Sequence, residues 1–90
     1  IWPSEFYLSN AYPNPFNPVT SFEVKVSEFS YVDIAVYNIS GRMIDKVFKG
    51  NLAKGEYKMS WNASDFPSGI YFINLMSDSY NKTSKVILLK

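Results

Sequence analysis

Apolar and polar residues alternate along most of the chain, in short runs rather than in one long pattern. The four clearest runs are residues 20–27, 31–38, 55–62 and 69–77. In the first, Phe22, Val24 and Val26 fall on one face, because successive side chains of an extended strand point to opposite faces. No window carries the i, i+3, i+4, i+7 apolar stripe of an amphipathic helix. The pattern therefore predicts half-buried β-strands and no helix.

The other three regular runs also have one apolar face each. The residues on these faces are Val32, Ile34 and Val36, then Tyr57, Met59 and Trp61, and finally Tyr71, Ile73 and Leu75.

Two further strands are less regular. Residues 43–50 lose the alternation between Ile44 and the pair Val47 and Phe48, which predicts an edge strand with a bulge. Residues 82–90 become continuously apolar, which predicts a strand covered on both faces or docked late against a sheet.

Turn-forming residues separate these runs. The candidate turns are Ser40-Gly41, Gly50-Asn51 with Lys54-Gly55, Asp65 to Gly69, and Ser77-Asp78-Ser79. Short alternating strands with turns every 8–12 residues or so are typical of a β-sandwich. We therefore predict an all-β, immunoglobulin-like antiparallel β-sandwich of about seven strands, with a short seventh strand around residues 6–8.

The segment Tyr12-Pro13-Asn14-Pro15-Phe16-Asn17-Pro18, called the strap below, fits neither strand nor helix. Proline fixes φ and has no N–H, and it pushes the residue before it toward extended backbone. We expect a stiff, extended segment that Phe16 and Tyr12 pin onto the end of the sandwich. Asn14 and Asn17 are expected to close Asx-turns. A ligand-binding loop is the alternative.

Composition narrows the possible functions. The chain of 90 residues is the size of one domain, and its net charge of +1 comes without any run of like charge. This balance argues against nucleic acid or an anionic membrane as the main partner. The absence of Cys and His removes disulfides, thiolate metal sites and the commonest general base. Carboxylate pairs for glycoside hydrolysis remain, but a sandwich of this size offers no cleft for them.

No cofactor and no metal is expected. Asp65 and Asp78 supply carboxylate oxygens of the kind that calcium prefers, but they lack the spacing of an EF-hand loop.

Four pieces of the sequence, in order, resemble a known family. They are YPNPFNPVT, VDIAVYNISGRMIDKVFKG, GEYKMSWNASDFPSGIYF and KVILLK. Together they resemble the type A C-terminal sorting domain of type IX secretion cargo, over about residues 10–90. Residues 1–9 would then be a linker and the entrance to the first strand. The resemblance implies a seven-stranded immunoglobulin-like domain that catalyses nothing.

The resemblance also implies a route and partners. Such domains end large exported enzymes, adhesins and proteases of Bacteroidota and related bacteria, so the cargo domain lies on the N-terminal side. They are recognised in the periplasm by the outer-membrane type IX translocon and its sortase-like machinery. The cargo then reaches the cell surface, where it is attached to lipopolysaccharide, or the extracellular space. Many of these domains are cleaved off on the way.

The motifs of this family fall on specific positions of the chain. Those expected to take part in translocon recognition are Pro67, Gly69, Tyr71, Lys85, Val86, Ile87, Leu88, Leu89 and Lys90. Those expected to be structural are the strap, Gly41, Arg42 and Trp61. The family often carries a glycine before its final strand, where this chain has Ser77-Asp78-Ser79-Tyr80-Asn81.

The motif of Pro67, Gly69 and Tyr71 also has a purely structural interpretation. Gly69 permits a positive φ or a close approach of backbone, and Tyr71 occupies the position of a tyrosine corner, with a buried ring and a hydroxyl bonded to backbone. Lys85 to Lys90 are either a final core strand with solvated ends or an edge to which a partner adds a strand.

The remaining motifs have alternatives of the same kind. Gly41 is a turn glycine, and Arg42 is either exposed or paired with Asp33 or Asp45. Trp61 is a core residue or a platform for stacking a sugar.

Two other functions compete with sorting. One is an immunoglobulin-like spacer or assembly domain, as in the flagellar hook-capping proteins that the G-R and G-x-Y turns also resemble. The other is a carbohydrate-binding accessory domain of a secreted glycoside hydrolase, which requires exposed, coplanar aromatic side chains on one sheet face.

Overall fold

The computed structural model of the protein describes residues 6–78 and 80–90. Residues 1–5 and Ser79, which belong to the predicted linker and the last predicted turn, lie outside the described residues. The described strands are β1 (Tyr7–Leu8), β2 (Val19–Val26), β3 (Ser30–Asn38), β4 (Met43–Leu52), β5 (Gly55–Asn62), β6 (Gly69–Ser77) and β7 (Asn81–Leu88). This confirms the predicted all-β fold. The described part of the chain contains no helix of the length and apolarity needed to cross a membrane.

The strands form two antiparallel sheets. The smaller sheet has the order β1-β2-β5, and the larger has the order β4-β3-β6-β7. Because β3 pairs with β6 over seven residues and β6 pairs with β7 over eight, the larger sheet has a continuous centre. Its two edges are β4 and β7.

The core lies between the inner faces of the two sheets. The alternation predicted these faces correctly: Phe22, Val24 and Val26 of β2 are buried, and so are Val32, Ile34 and Val36 of β3. A sheet with one face on the core and one in water keeps a period of two in its sequence, which is why the pattern was readable. Removing this much apolar surface from water is the main source of stability for such a domain.

The structure agrees with the prediction for one of the two irregular strands, β4, and corrects the prediction for the other, β7. β4 is an edge strand with register shifts opposite Ile34/Ala35 and Val36/Tyr37, as predicted, but it continues through the predicted turn at Gly50-Asn51. Of the two alternatives predicted for the last strand, coverage on both faces is wrong. In β7 only Val86 and Leu88 are buried, while Ile87 is half-buried on the outer face and Leu89, beyond the strand, is 56% exposed.

Candidate functional site at one end of the sandwich

The strap crosses from one sheet to the other. At its start, the backbone of Tyr12 exchanges hydrogen bonds of 2.8 and 2.9 Å with Ser21 of β2. Near its end, Phe16 forms a parallel bridge with Leu88 of β7. The chain bends on both sides of Phe16 rather than running extended, which corrects the expected extended geometry. The strap thereby connects the smaller sheet to the edge of the larger one, and the end where it lies is called the strap end below.

Two buried groups fix the strap to the sandwich. The ring of Phe16 is 2% exposed and lies in the core, as expected. The hydroxyl of Thr20, which is fully buried at the start of β2, donates a 2.8 Å hydrogen bond to the Pro13 carbonyl. A buried polar group is tolerated when it is hydrogen-bonded, so this bond accounts for a threonine on the inner face. Tyr12 does not pin the strap as expected, because its side chain is 81% exposed.

The strap also pairs with the outer edge of β7. The Phe16 amide donates to the Ile87 carbonyl at 2.9 Å, and the Leu89 amide donates to the Phe16 carbonyl at 3.0 Å. Two residues earlier, the Ile87 amide donates to Asn14 Oδ1 at 2.9 Å, and Asn14 Nδ2 donates to the Lys85 carbonyl at 3.0 Å.

The Asn14 side chain therefore takes the place of a backbone peptide. In a parallel ladder, one residue bonds to two residues of its neighbour that flank its partner. The Phe16 backbone does this around Leu88, and the Asn14 amide does it around Val86. The Asx-turn expected of Asn14 is replaced by this contact with β7.

An aromatic cluster lies directly under the strap. Trp61, at the end of β5, is 3% exposed, and its ring centre lies 5.7 Å from Phe16, 5.4 Å from Tyr71 and 5.8 Å from Phe66. The indole Nε1 donates to Asp45 Oδ2 of β4 at 2.9 Å. Aromatic pairs at these separations add to the stability that comes from burial alone. Trp61 is therefore a core residue, and stacking a sugar on it is excluded by its burial.

The loop between β5 and β6 completes this end of the core. Tyr71 is 5% exposed, and its hydroxyl donates to the Pro67 carbonyl at 2.6 Å, which is the geometry of a tyrosine corner. Gly69 opens β6, and a Cβ built on it would meet its nearest neighbour, the Tyr71 ring, only at 4.0 Å. Of the two roles expected of Gly69, the positive φ is therefore observed, at +158°, and the close approach is not. Pro67 itself is exposed.

Residues Lys85 to Lys90 lie against both the strap and this loop. Lys85 is exposed on the outer face, next to the bond from Asn14. Beyond β7, the Lys90 amide donates to Ser68 Oγ at 3.0 Å, and its ammonium donates to the Ser64 carbonyl at 2.7 Å. Lys90 thus holds the β5–β6 loop to the end of the last strand.

The turn between β3 and β4 lies at the same end, because Asn38 pairs with Tyr71 across the larger sheet. Gly41 has a φ of +84°, a left-handed conformation that favours glycine, so its predicted turn role is confirmed. The Asn38 side chain accepts bonds from the amides of Ser40 and Arg42.

Of the two alternatives for Arg42, the structure shows the exposed cation and not the ion pair with Asp33 or Asp45. Asp33 pairs with Lys46 at 3.1 Å, and Asp45 accepts the bond from Trp61 instead. Arg42 is exposed.

The structure thus brings the predicted motif residues together at one end of the sandwich, although they span residues 12 to 90. Sequence reasoning gave no role in this site to Thr20, Phe66, Ser64 and Ser68, and it considered Asp45 only as a partner of Arg42. Thr20 was detectable, because it has the same alternation phase as Phe22 and Val24. Asp45, Ser64 and Ser68 are loop or edge residues whose partners in this site are distant in sequence, and no local pattern marks them. Phe66 is a loop residue that packs on Trp61 and Tyr71 nearby in the chain, but a lone aromatic residue in a turn has no alternation phase.

Other kinds of site find little support in the described residues. Within 6–78 and 80–90, no three side chains of His, Cys, Asp or Glu approach closely enough to hold a metal ion. The exposed aromatic side chains Tyr7, Tyr12, Phe29 and Tyr31 belong to different strands and loops rather than to one planar platform.

The chain was compared with protein-family models and with curated proteins. A family model described as the secretion system C-terminal sorting domain matches residues 10–89. None of the curated proteins matches the chain.

Proposed function

The chain belongs to the family of secretion system C-terminal sorting domains, and from this premise we propose that the strap end is the surface that the outer-membrane translocon reads. The family provides the function itself: the domain is a C-terminal sorting signal for the type IX secretion system. It therefore acts together with the type IX machinery and with a cargo region N-terminal to it, and it directs export to the cell surface or the extracellular space. The family is a sorting family and not a catalytic one.

The observation that carries the proposal is the convergence of the motif residues at the strap end. Pro67, Lys85, Leu89 and Lys90 are exposed there, and Arg42 projects from the neighbouring turn. Beneath them, Trp61 and its aromatic neighbours fix the backbone that carries these side chains. A surface built on a rigid core presents its contacts without a large ordering cost on binding, which suits recognition of a folded domain.

In this proposal the recognition takes place in the periplasm, before the cargo crosses the outer membrane. The sortase-like machinery acts afterwards, either cleaving the domain or attaching the cargo to the surface. The domain contributes binding contacts and no catalytic group. Residues 10–90 form the sorting domain, and residues 1–9 are the linker from the cargo and the entrance to the sandwich, where Tyr7–Leu8 add β1 to the smaller sheet.

The proposal is tested with a fusion of a Sec signal, a fluorescent reporter and this domain, expressed in a bacterium with a type IX system. The strap-end variant carries Arg42→Ala and Lys85→Ala. The matched control carries Lys25→Ala and Lys54→Ala, near the turn between β4 and β5 at the opposite end. Each pair removes two exposed cations, so both variants have the same net charge.

We expect the control to reach the medium or cell surface like the unchanged fusion, and the strap-end variant to accumulate in the periplasm. Circular dichroism of the purified domains checks that both variants are folded. Equal export of the two folded variants would contradict the proposed surface. A periplasmic location of the unchanged fusion would contradict recognition of this domain by that translocon.

A further inference from the structure

The strap closes only half of the outer edge of β7. Its four hydrogen bonds engage backbone groups of Lys85, Ile87 and Leu89. In an edge strand, alternate residues present their amide and carbonyl groups to the same side. Asn81 and Thr83 therefore face the same side as Ile87, and none of the strap's bonds reaches them. The open stretch runs from Asn81 to the amide of Lys85.

This open stretch is basic. Lys82 and Lys85 flank Thr83, both are exposed, and neither lies within 4.0 Å of a carboxylate in the part of the chain that the structure describes. Lys82 lies 5.8 Å from the centre of the Tyr7 ring, and β7 contains no acidic residue. A neighbouring strand that carries carboxylates opposite these lysines gains favourable cross-strand pairs.

The outer face beside the open stretch is partly apolar. A shallow groove there is lined by Phe72 and Met76 of β6, by Tyr37 and Ile39 at the end of β3, and by Thr83 of β7 itself. An apolar side chain from an added strand has a place to pack at this groove. Main-chain bonds with the edge and side-chain contacts with such a groove are the two components of recognition by strand addition.

We propose that the edge of β7 from Asn81 to Lys85 receives an extended, acidic segment of an outer-membrane protein of the type IX machinery, by strand addition. This inference rests on the proposed function and makes it more specific. Direct strand addition along Lys85 to Leu89 is blocked in the folded domain, because the strap already occupies those backbone groups. The segment's backbone bonds to Thr83, and its carboxylates face Lys82 and Lys85.

The test compares Thr83→Pro with Thr83→Val in the same export assay. Proline removes the outward-facing amide of residue 83 and leaves the bonds between β6 and β7 intact, which is the position where a strand tolerates proline. Valine keeps the amide. Both variants lose the hydroxyl that accepts a 2.9 Å bond from Asn74, so the pair differs at the edge amide. We expect loss of export for Thr83→Pro and normal export for Thr83→Val.

A photo-cross-linking residue provides a second measurement that does not depend on how well the proline variant folds. It is placed at Thr83 in one fusion and at Asn51, an exposed position on the opposite edge of the same sheet, in the other. We expect an adduct with an outer-membrane type IX protein from position 83 and none from position 51. Equal adducts, or an adduct from position 51 alone, would overturn the inference.

The acidic character of the segment is tested separately. We expect Lys82→Glu to reduce export and Lys58→Glu, on the exposed face of β5, to leave it unchanged. Normal export of Lys82→Glu would overturn the acidic partner. Normal export of a folded Thr83→Pro variant would overturn strand addition. Export of the unchanged fusion would still support the proposed function in that case. Failure of the unchanged fusion would count against the proposed function itself.

Discussion

Replacing Asn14 with alanine is expected to release the strap from β7. The side chain makes two hydrogen bonds, at 2.9 Å from the Ile87 amide and at 3.0 Å to the Lys85 carbonyl. A typical hydrogen bond contributes about 0.5–1.5 kcal/mol net. Because Asn14 is exposed, water replaces the lost partners, and the expected loss is near the lower end, about 1 kcal/mol for both bonds together.

The expected loss is large enough to measure. In a domain of this size, 1 kcal/mol corresponds to a fall of about 4–8 °C in the melting temperature. The matched control is Asn17→Ala. Asn17 is also exposed and also precedes a proline, but the structure gives its side chain no hydrogen bond to β7. We expect the control to melt within about 2 °C of the unchanged domain, as surface substitutions usually do.

Amide hydrogen exchange locates the effect. The Ile87 amide is expected to exchange faster in Asn14→Ala, because it loses its acceptor. The Val86 amide faces β6 in the alternation of the ladder and is expected to stay protected. Equal melting temperatures for the two variants, or unchanged exchange at Ile87, would refute the reasoning that Asn14 stands in for a strand residue.

Three further changes test the core by urea unfolding. Tyr71→Phe is expected to cost about 1–1.5 kcal/mol, because a part-buried hydrogen bond loses its donor, whereas Tyr57→Phe loses an equally short bond in an exposed setting and costs about 0.5 kcal/mol. Leu88→Ala is expected to cost about 2–5 kcal/mol by leaving a cavity, and Leu89→Ala within about 0.5 kcal/mol. Thr20→Val keeps the shape of the side chain and removes the donor of a part-buried hydrogen bond, so about 0.5–1.5 kcal/mol is expected. A reversed order within either pair, or a stabilised Thr20→Val, would contradict these assignments.

The architecture was predictable because each sheet has one buried and one solvated face. Under that condition, the side-chain period of two appears in the sequence as alternation. Phe22, Val24 and Val26 show it most clearly, and the same phase extends back to Thr20. The phase alone predicts that Thr20 is buried, but its hydrogen-bond partner, the Pro13 carbonyl, was not predictable because it belongs to a segment without a regular period.

The last strand was harder to predict because its aliphatic run contains no polar residue to reveal the phase. Val86 points inward because it pairs with Tyr71, and Ile87 points outward because it pairs with Ile70. That register depends on the pairing of β7 with β6 in the folded domain, and the local sequence does not determine it. A run of four aliphatic residues is equally compatible with a strand buried on both faces, which was one of the two alternatives predicted from it and is wrong.

The strap contains contacts that residue preferences along the local sequence do not predict. Proline chemistry correctly predicted a segment outside regular structure, and the preference of Asn for local backbone bonds predicted Asx-turns. The actual partners of Asn14 lie 71 and 73 residues further along the chain. A rule that considers only neighbouring residues has no access to them.

This separation along the chain bears on how a sorting signal is presented. The strap can bond to β7 only in the assembled sandwich, because the two sheets built from β2 to β6 bring residues 12–18 next to residues 85–89. Contacts of such long range carry a larger loop-closure entropy cost than local ones, so they depend on the order of the chain between them. The division of the β7 edge into a closed half and an open half therefore exists only in a completely folded domain. A partner that reads this edge distinguishes a folded domain from an incomplete one without a separate check, since an unfolded chain has neither the paired strap nor the open stretch from Asn81 to Lys85.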